Sequence, residues 1–123
     1  MSYKLSFELN ELPLSLNRVL RLNRWERAAL YDDIYQICRF HIHGKQPEEP
    51  LEKFTLRFER HTIKPVDIDS LVASFKPILD SLEKYGVILN DGWELVNFKN
   101  TSYEQVQVKT KKEQKIILEI NSL

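Results

Sequence analysis

The chain has 123 residues, of which 42% are hydrophobic and 29% charged, and this composition fits one domain with one buried core. Its 18 basic and 18 acidic residues cancel, so any nucleic-acid contact must come from a local basic patch rather than from an overall positive charge. The single cysteine, Cys38, excludes an internal disulfide, and since no apolar run approaches the roughly 20 residues that span a bilayer, we expect a soluble cytoplasmic protein without a membrane partner.

The first half of the chain predicts a strand, a long helix and a second strand. Hydrophobic and polar residues alternate over residues 3–9 and again near 52–60, which is typical of half-buried strands. Between them, Asn23 and Glu26 have the spacing of a helix capping box. The helix that begins there is expected to end at Gly44.

The second half predicts one more helix and several strands. The helix runs from about residue 69 to 85, and Pro77 inside it predicts a kink near residues 73–77. A short strand is expected over 94–98, and alternation within 106–120 predicts a C-terminal hairpin. This order of elements predicts a single α/β (α+β) domain, with a mixed sheet of four to five strands packed against two main helices.

Acidic residues and one lysine are concentrated in a window of 25 residues. The window contains Asp67, Asp69, Lys76, Asp80 and Asp91, and the helical spacing places three of these on one face. Clustered carboxylates repel each other unless a cation lies among them, and hard oxygen ligands suit Mg²⁺. The window therefore predicts a magnesium site formed by three aspartates, Asp67, Asp69 and Asp91, with Lys76 stabilising charge on a phosphate.

A plainer interpretation of the same window stays open. Asp-x-Asp sequences are common before helices, where the carboxylates compensate the exposed N–H groups of the first turn. Lys76 and Asp80 are four residues apart and would then form an ordinary solvated ion pair. The spacing alone does not decide between helix capping and metal binding.

The whole stretch resembles the RusA family of Holliday-junction resolvases. The resemblance consists of Asp-Ile-Asp-Ser-Leu at 67–71, Lys76 followed by Asp80, and Gly-Val-Ile-Leu-Asn-Asp at 86–91. Pro-Leu-Ser-Leu-Asn at 13–17, after the first strand, resembles the Pro-x-Ser-x-Asn element of the family. The similarity extends over nearly the whole chain, and its specificity depends on residues 67–91.

The resemblance implies a fold, an activity and a set of site residues. It implies a RusA-like homodimer that uses Mg²⁺, or Mn²⁺ in its place, to resolve four-way DNA junctions by paired symmetric nicks during recombination and repair. It assigns catalytic roles to Asp67, Asp69, Lys76 and Asp91, and the metal to the three aspartates. It also implies a location at the nucleoid.

Candidate DNA contacts lie outside the acidic window. Arginines cluster after the first strand, Asn17 ends the element that resembles Pro-x-Ser-x-Asn, and Lys64 lies shortly before Asp67. We therefore expect phosphate contacts from five residues, which are Asn17, Arg18, Arg21, Arg24 and Lys64. The same charges would equally suit a solvated surface.

Two rival functions remain. The first is a junction-binding protein without catalysis, which is favoured because Asn90 stands where the family has Asp and because Lys76 lies three residues further from Asp69 than usual. The second is a small α/β partner-binding domain without a DNA role, which is favoured by the zero net charge. Divalent-metal-dependent cleavage separates the first rival from the nuclease, and junction binding at low salt separates the second.

Overall fold

A computed structural model describes residues 2–10 and 20–123 of the chain. The predictions for Asn17, Arg18 and the 13–17 element lie outside the described residues. The strands are β1 (Lys4–Leu9), β2 (Phe54–Thr62), β3 (Thr101–Gln107) and β4 (Lys115–Ser122). The helices are α1 (Arg24–Ile42), α2 (Ile68–Ser74) and α3 (Lys76–Lys84), with a 3₁₀ turn at Lys111–Glu113.

The four strands form one mixed sheet in the order β1-β4-β2-β3, which confirms the predicted α+β class. β4 is antiparallel to both of its neighbours, so Leu118 faces Phe7 of β1 on one side and Phe58 of β2 on the other. β3 runs parallel to β2 and places Tyr103 beside Phe58. Parallel neighbours need a crossover connection, and here the connection contains α2 and α3.

The predicted C-terminal hairpin is wrong, because β2 lies between β3 and β4. Local alternation identified both strands but carries no information about which strands pair. Every second residue of β4, at Ile116, Leu118 and Ile120, is fully buried, and this suits a strand with neighbours on both sides. β3 instead exposes Glu104 and Val106, as an edge strand can.

The predicted strand at 94–98 is also wrong, since this segment forms turns. The N–H groups of Leu95 and Val96 both donate to the carbonyl of Gly92, at 3.0 and 2.9 Å. The side chain of Asn97 then accepts from the N–H of Lys99 at 3.0 Å. Short polar side chains that bond to nearby backbone compete with a sheet ladder, which explains why the apolar residues here do not form a strand.

One face of the sheet carries the core. β2 alternates buried and half-buried residues along its length, and the ring of Phe58 at its centre stacks on Phe75 at 4.6 Å and Tyr103 at 5.4 Å between ring centroids. The opposite face is charged, with Arg57 3.1 Å from Glu59 and the ring of His61 2.6 Å from the same carboxylate. The described helices therefore pack on the apolar side of the sheet.

Helix α1 begins as predicted. The side chain of Asn23 accepts from the N–H of Glu26 at 2.8 Å, and the N–H of Asn23 donates to the Glu26 carboxylate at 3.0 Å. These two bonds form the complete capping box. Gly44 follows the helix with φ 77°, a left-handed conformation that glycine adopts without strain.

The predicted kink in the second long helix is confirmed and is a full break. α2 ends at Ser74, α3 begins at Lys76, and Phe75 between them is buried. Pro77 lies in the first turn of α3, where its missing N–H removes no helical hydrogen bond. Across residues 2–10 and 20–123, no helix is long and apolar enough to cross a membrane.

Candidate functional site

Lys76 lies at the centre of an ion-pair cluster. Its Nζ donates to Oδ2 of Asp91 at 2.6 Å and lies 2.8 Å from Oδ1 of Asp80. Asp80 is one turn further along α3, whereas Asp91 comes from the segment beyond the helix. The structure thus brings together two of the four residues predicted to be catalytic, with Asp80 as a third member.

The cluster fixes the charge of Lys76 and Asp91. Burial alone would lower the pKa of Lys76, but its hydrogen bonds to Asp80 and Asp91 and their negative charges outweigh burial, so the pKa lies above its usual range. The hydrogen bond from Lys76 lowers the pKa of Asp91, although burial acts in the opposite direction. At neutral pH the ammonium and the Asp91 carboxylate are therefore both charged.

Tyr35 of α1 extends this cluster and was missed by the sequence analysis. Its hydroxyl donates to Oδ2 of Asp80 at 3.5 Å, and the Nζ of Lys84 lies 4.9 Å from the centroid of its ring. Burial raises the pKa of Tyr35, and the charge of Asp80 adds to this shift. Tyr35 follows the buried Ile34 and is separated from Asp80 by 45 residues, so no local sequence signal pairs them.

Asp67 and Asp69 lie at the beginning of α2 and are both exposed. Asp67 is the N-cap residue, yet within the described part of the chain its side chain makes no capping hydrogen bond. Oδ1 of Asp69 accepts from the N–H of Ser70 at 2.9 Å. Side-chain capping therefore does not account for Asp67, which leaves its carboxylate accessible.

The donor atoms suit a magnesium ion, but the described arrangement does not gather them. Carboxylate oxygens are the ligands that Mg²⁺ prefers. Nevertheless, residues 2–10 and 20–123 contain no group of three or more His, Cys, Asp or Glu side chains that could hold a metal ion. Asp91 is instead bound to Lys76. The donor set fits the metal by its chemistry, and the three-aspartate site stays a prediction.

Asn90 has a structural part in presenting Asp91. Its Oδ1 accepts from the N–H of Gly92 at 2.9 Å and so closes a small turn around Asp91. An aspartate at this position could accept the same hydrogen bond. The asparagine therefore forms the turn without placing a second negative charge next to Asp91 in the sequence.

The predicted DNA contacts that lie among the described residues are on the surface. Arg21 and Arg24 are exposed near the start of α1, and the guanidinium of Arg24 lies 5.4 Å from the centroid of the Trp25 ring. Lys64 is exposed in the connection between β2 and α2. Their positions are compatible with phosphate contact and equally with a solvated surface.

No protein-family model and no curated protein matches this chain. The resemblance to the RusA family therefore depends on the motif residues themselves. Of these, the structure brings Lys76, Asp80 and Asp91 into direct contact. The family assignment stays a prediction.

Proposed function

We propose that this chain is a RusA-like, metal-dependent endonuclease that resolves four-way DNA junctions as a homodimer. The observation that supports this proposal best is the ion pair between Lys76 and Asp91. The two residues are 15 positions apart, and the resemblance assigns both to one catalytic site. Their contact at 2.6 Å supports a shared site, because it places the ammonium and the carboxylate close enough to act on one substrate group.

The residues of the chain have distinct parts in the proposal. Lys76 stays protonated and offers a fixed cation to a phosphate oxygen of the DNA. Asp67 and Asp69 are exposed and accessible to a ligand from solution. Together with Asp91 they would hold the Mg²⁺ or Mn²⁺, which when bound polarises the phosphate and activates water.

The break at Phe75 bears on the one difference in spacing from the family. Lys76 lies three residues further from Asp69 than in the family pattern, and the longer interval contains the break between α2 and α3. Because α3 begins anew at Lys76, the direction of the lysine is not set by a continuous helix from Asp69. The extra residues are therefore compatible with a shared site.

The proposal also includes partners and a location. A four-way junction offers two equivalent strands, and a two-fold homodimer supplies one site for each. Phosphate contacts would come from Asn17, Arg18, Arg21, Arg24 and Lys64. The substrate implies a cytoplasmic location at the nucleoid.

A junction-binding protein without catalysis is the second candidate. It is favoured because Asp91 is already paired with Lys76 and because the described residues contain no group that could hold a metal. Such a protein would bind the same branched DNA without cutting it. The two candidates therefore differ in a single observable, which is strand cleavage in the presence of divalent metal.

The test uses a labelled synthetic four-way junction and a linear duplex of matching sequence, each incubated with Mg²⁺, Mn²⁺ or EDTA. We expect paired nicks in the junction alone, and only with metal. Asp69→Asn should reduce cleavage by about a hundredfold or more and leave junction binding intact, since even the outer partners of metal sites cost 10- to 100-fold. Asp32→Asn, an exposed aspartate of α1, is the matched control.

Each alternative result has a definite meaning. Binding of the junction without cleavage in either metal would establish the non-catalytic candidate. Loss of junction binding in a folded Asp69→Asn protein would contradict the division between binding and cutting residues. Failure of the wild-type protein to bind a junction at low salt would exclude both candidates.

A further inference from the structure

The segment from residue 91 to 100, which we call the aromatic loop, is fixed on the sheet by hydrogen bonds. The side-chain amide of Asn100 donates to the backbone carbonyl of Phe54 at 3.2 Å, and the backbone carbonyl of Asn100 accepts from the N–H of Leu56 at 2.8 Å. Within the loop, the amide of Asn97 donates to the carbonyl of Trp93 at 2.9 Å. The loop therefore has a defined shape although it contains no strand or helix.

This fixed loop holds two large aromatic side chains in solvent. Trp93 is 68% exposed and Phe98 is 75% exposed. Their ring centroids are 5.8 Å apart with an interplanar angle of 77°, so the two rings support each other edge to face. Exposed apolar side chains on a rigid segment indicate a binding surface, because ordering them before binding lowers the entropy cost of the contact.

The ring of Phe98 forms one wall of a cavity of about 610 Å³ that also includes Asp69. The other lining residues are Ile68, Val72, Ala73, Thr101 and Tyr103. The loop begins at Asp91, which is bound to Lys76, and near its end reaches the cavity beside Asp69. It therefore connects the two separated parts of the proposed catalytic set.

We propose that this cavity receives an unpaired nucleobase of branched DNA, stacked on the ring of Phe98. The inference rests on the proposed function and adds to it the part of the substrate that is recognised. A volume of this size accommodates a small flat ligand. Aromatic rings stack on every base, and the strands of a branch point expose bases that a regular duplex keeps stacked.

The chemistry of the cavity favours a nucleobase over a side chain from a second copy of the protein. Its lining residues are mostly apolar, and Asp69 adds a carboxylate. Base edges carry amino groups that can donate to this carboxylate. An apolar side chain would remove the Asp69 carboxylate from water and offer it no donor of its own, which is costly. The exposed Lys99, next to Phe98, is suited to an adjoining phosphate.

The test uses a four-way junction that carries 2-aminopurine next to the branch point, titrated with protein in EDTA so that binding is measured without cleavage. We expect the wild-type protein to change the fluorescence of the probe. Phe98→Ala should abolish most of this change and weaken binding about tenfold, as the loss of one stacked base does. Phe98→Trp should keep both, and Phe40→Ala, which removes a ring that is 81% exposed on α1, is the matched control.

The result that overturns the inference is a Phe98→Ala protein that matches Phe40→Ala in affinity and fluorescence. A fall in the sedimenting mass of Phe98→Ala would also overturn it, because Phe98 would then belong to a contact between subunits. Cleavage with Mg²⁺ is measured separately. If the protein cuts junctions but Phe98→Ala changes neither affinity nor fluorescence, the base site is excluded and the nuclease is not. If the protein gives the fluorescence change but never cuts, the nuclease is excluded and the base site is not.

Discussion

The two halves of the broken helix carry the same kinds of charged residue in opposite circumstances. At the beginning of α3, Lys76 is bound to Asp91 at 2.6 Å and to Asp80 at 2.8 Å. At the beginning of α2, Asp67 and Asp69 are exposed, and neither has an ion-pair partner within the described ranges 2–10 and 20–123. The comparison shows that contact with Lys76, rather than residue type, distinguishes the paired carboxylates from the exposed ones.

This difference suggests a division of roles within the proposed site. At the α3 end, Lys76 is oriented by its ion pairs with Asp80 and Asp91, so its orientation does not depend on a bound ligand. The α2 end keeps its carboxylates in water, where they are available to a cation. Three sets of variants test this comparison. They change the residue between the two helices, the ion-pair cluster and the exposed carboxylate, in decreasing order of the expected effect on the free energy of unfolding.

The largest effect is expected from Phe75→Ala, which removes the buried residue between the two halves. Phe75 is 1% exposed and stacks on Phe58 at 4.6 Å between ring centroids. Truncation should lower the free energy of unfolding by about 3–5 kcal/mol, through lost burial and the cavity left behind. Urea denaturation measures this loss. Phe40→Ala, at an exposed site, should change it by less than about 0.5 kcal/mol, and equal effects would contradict the assigned packing.

An intermediate effect is expected from breaking the cluster. A double-mutant cycle with Lys76→Met and Asp91→Asn should give a coupling energy of about 1 kcal/mol or less, because the side chains are 53% and 25% exposed and water screens the pair. The cycle is measured by urea denaturation at neutral pH. A coupling energy of zero would show that the ion pair does not contribute in solution.

The pH dependence of the same cycle is its internal control. The pKa of Asp91 is lowered from 3.8, so its contribution is complete above that value and is lost as the pH falls further. The pKa of Lys76 is raised from 10.5, so its contribution is complete below that value and is lost at higher pH. The coupling energy should therefore be constant between these limits and decline outside them.

The smallest effect is expected from Asp69→Ala at the free end. An exposed carboxylate in the first turn of a helix contributes only a few tenths of a kcal/mol through the helix dipole. The free energy of unfolding should change by less than about 0.5 kcal/mol, as determined from the same denaturation curves. A loss above about 1 kcal/mol would indicate that Asp69 is a helix cap, as the plainer interpretation of the sequence holds.

Local signals in the sequence predicted the elements well. The Asn23–Glu26 capping box and the proline-dependent interruption near Phe75 involve residues within a few positions of one another, and both are confirmed. The pairing of β3 with β2 was not predictable in this way. It depends on the crossover through α2 and α3, and alternation along a strand is the same for a hairpin as for any other arrangement.

The candidate site shows the same limit. The motif predicts that Lys76 and Asp91 share one site, and their contact agrees with this prediction. The motif does not predict that the lysine binds the aspartate directly. Tyr35 was missed because α1 is distant in sequence from Asp80, and Phe98 was missed because its segment was predicted to be a strand. Predicting such neighbours requires the packing of α1 on α3 and the turns of the aromatic loop.

The central position of β4 has a consequence for biosynthesis. β1 and β2 do not pair with each other, and both pair with β4, which follows them in the chain. Among the described strands, β1 therefore has no partner until residues 115–122 have been synthesised. We expect the addition of β1 to this sheet to be a late step of folding, because it depends on a contact between segments far apart in the chain.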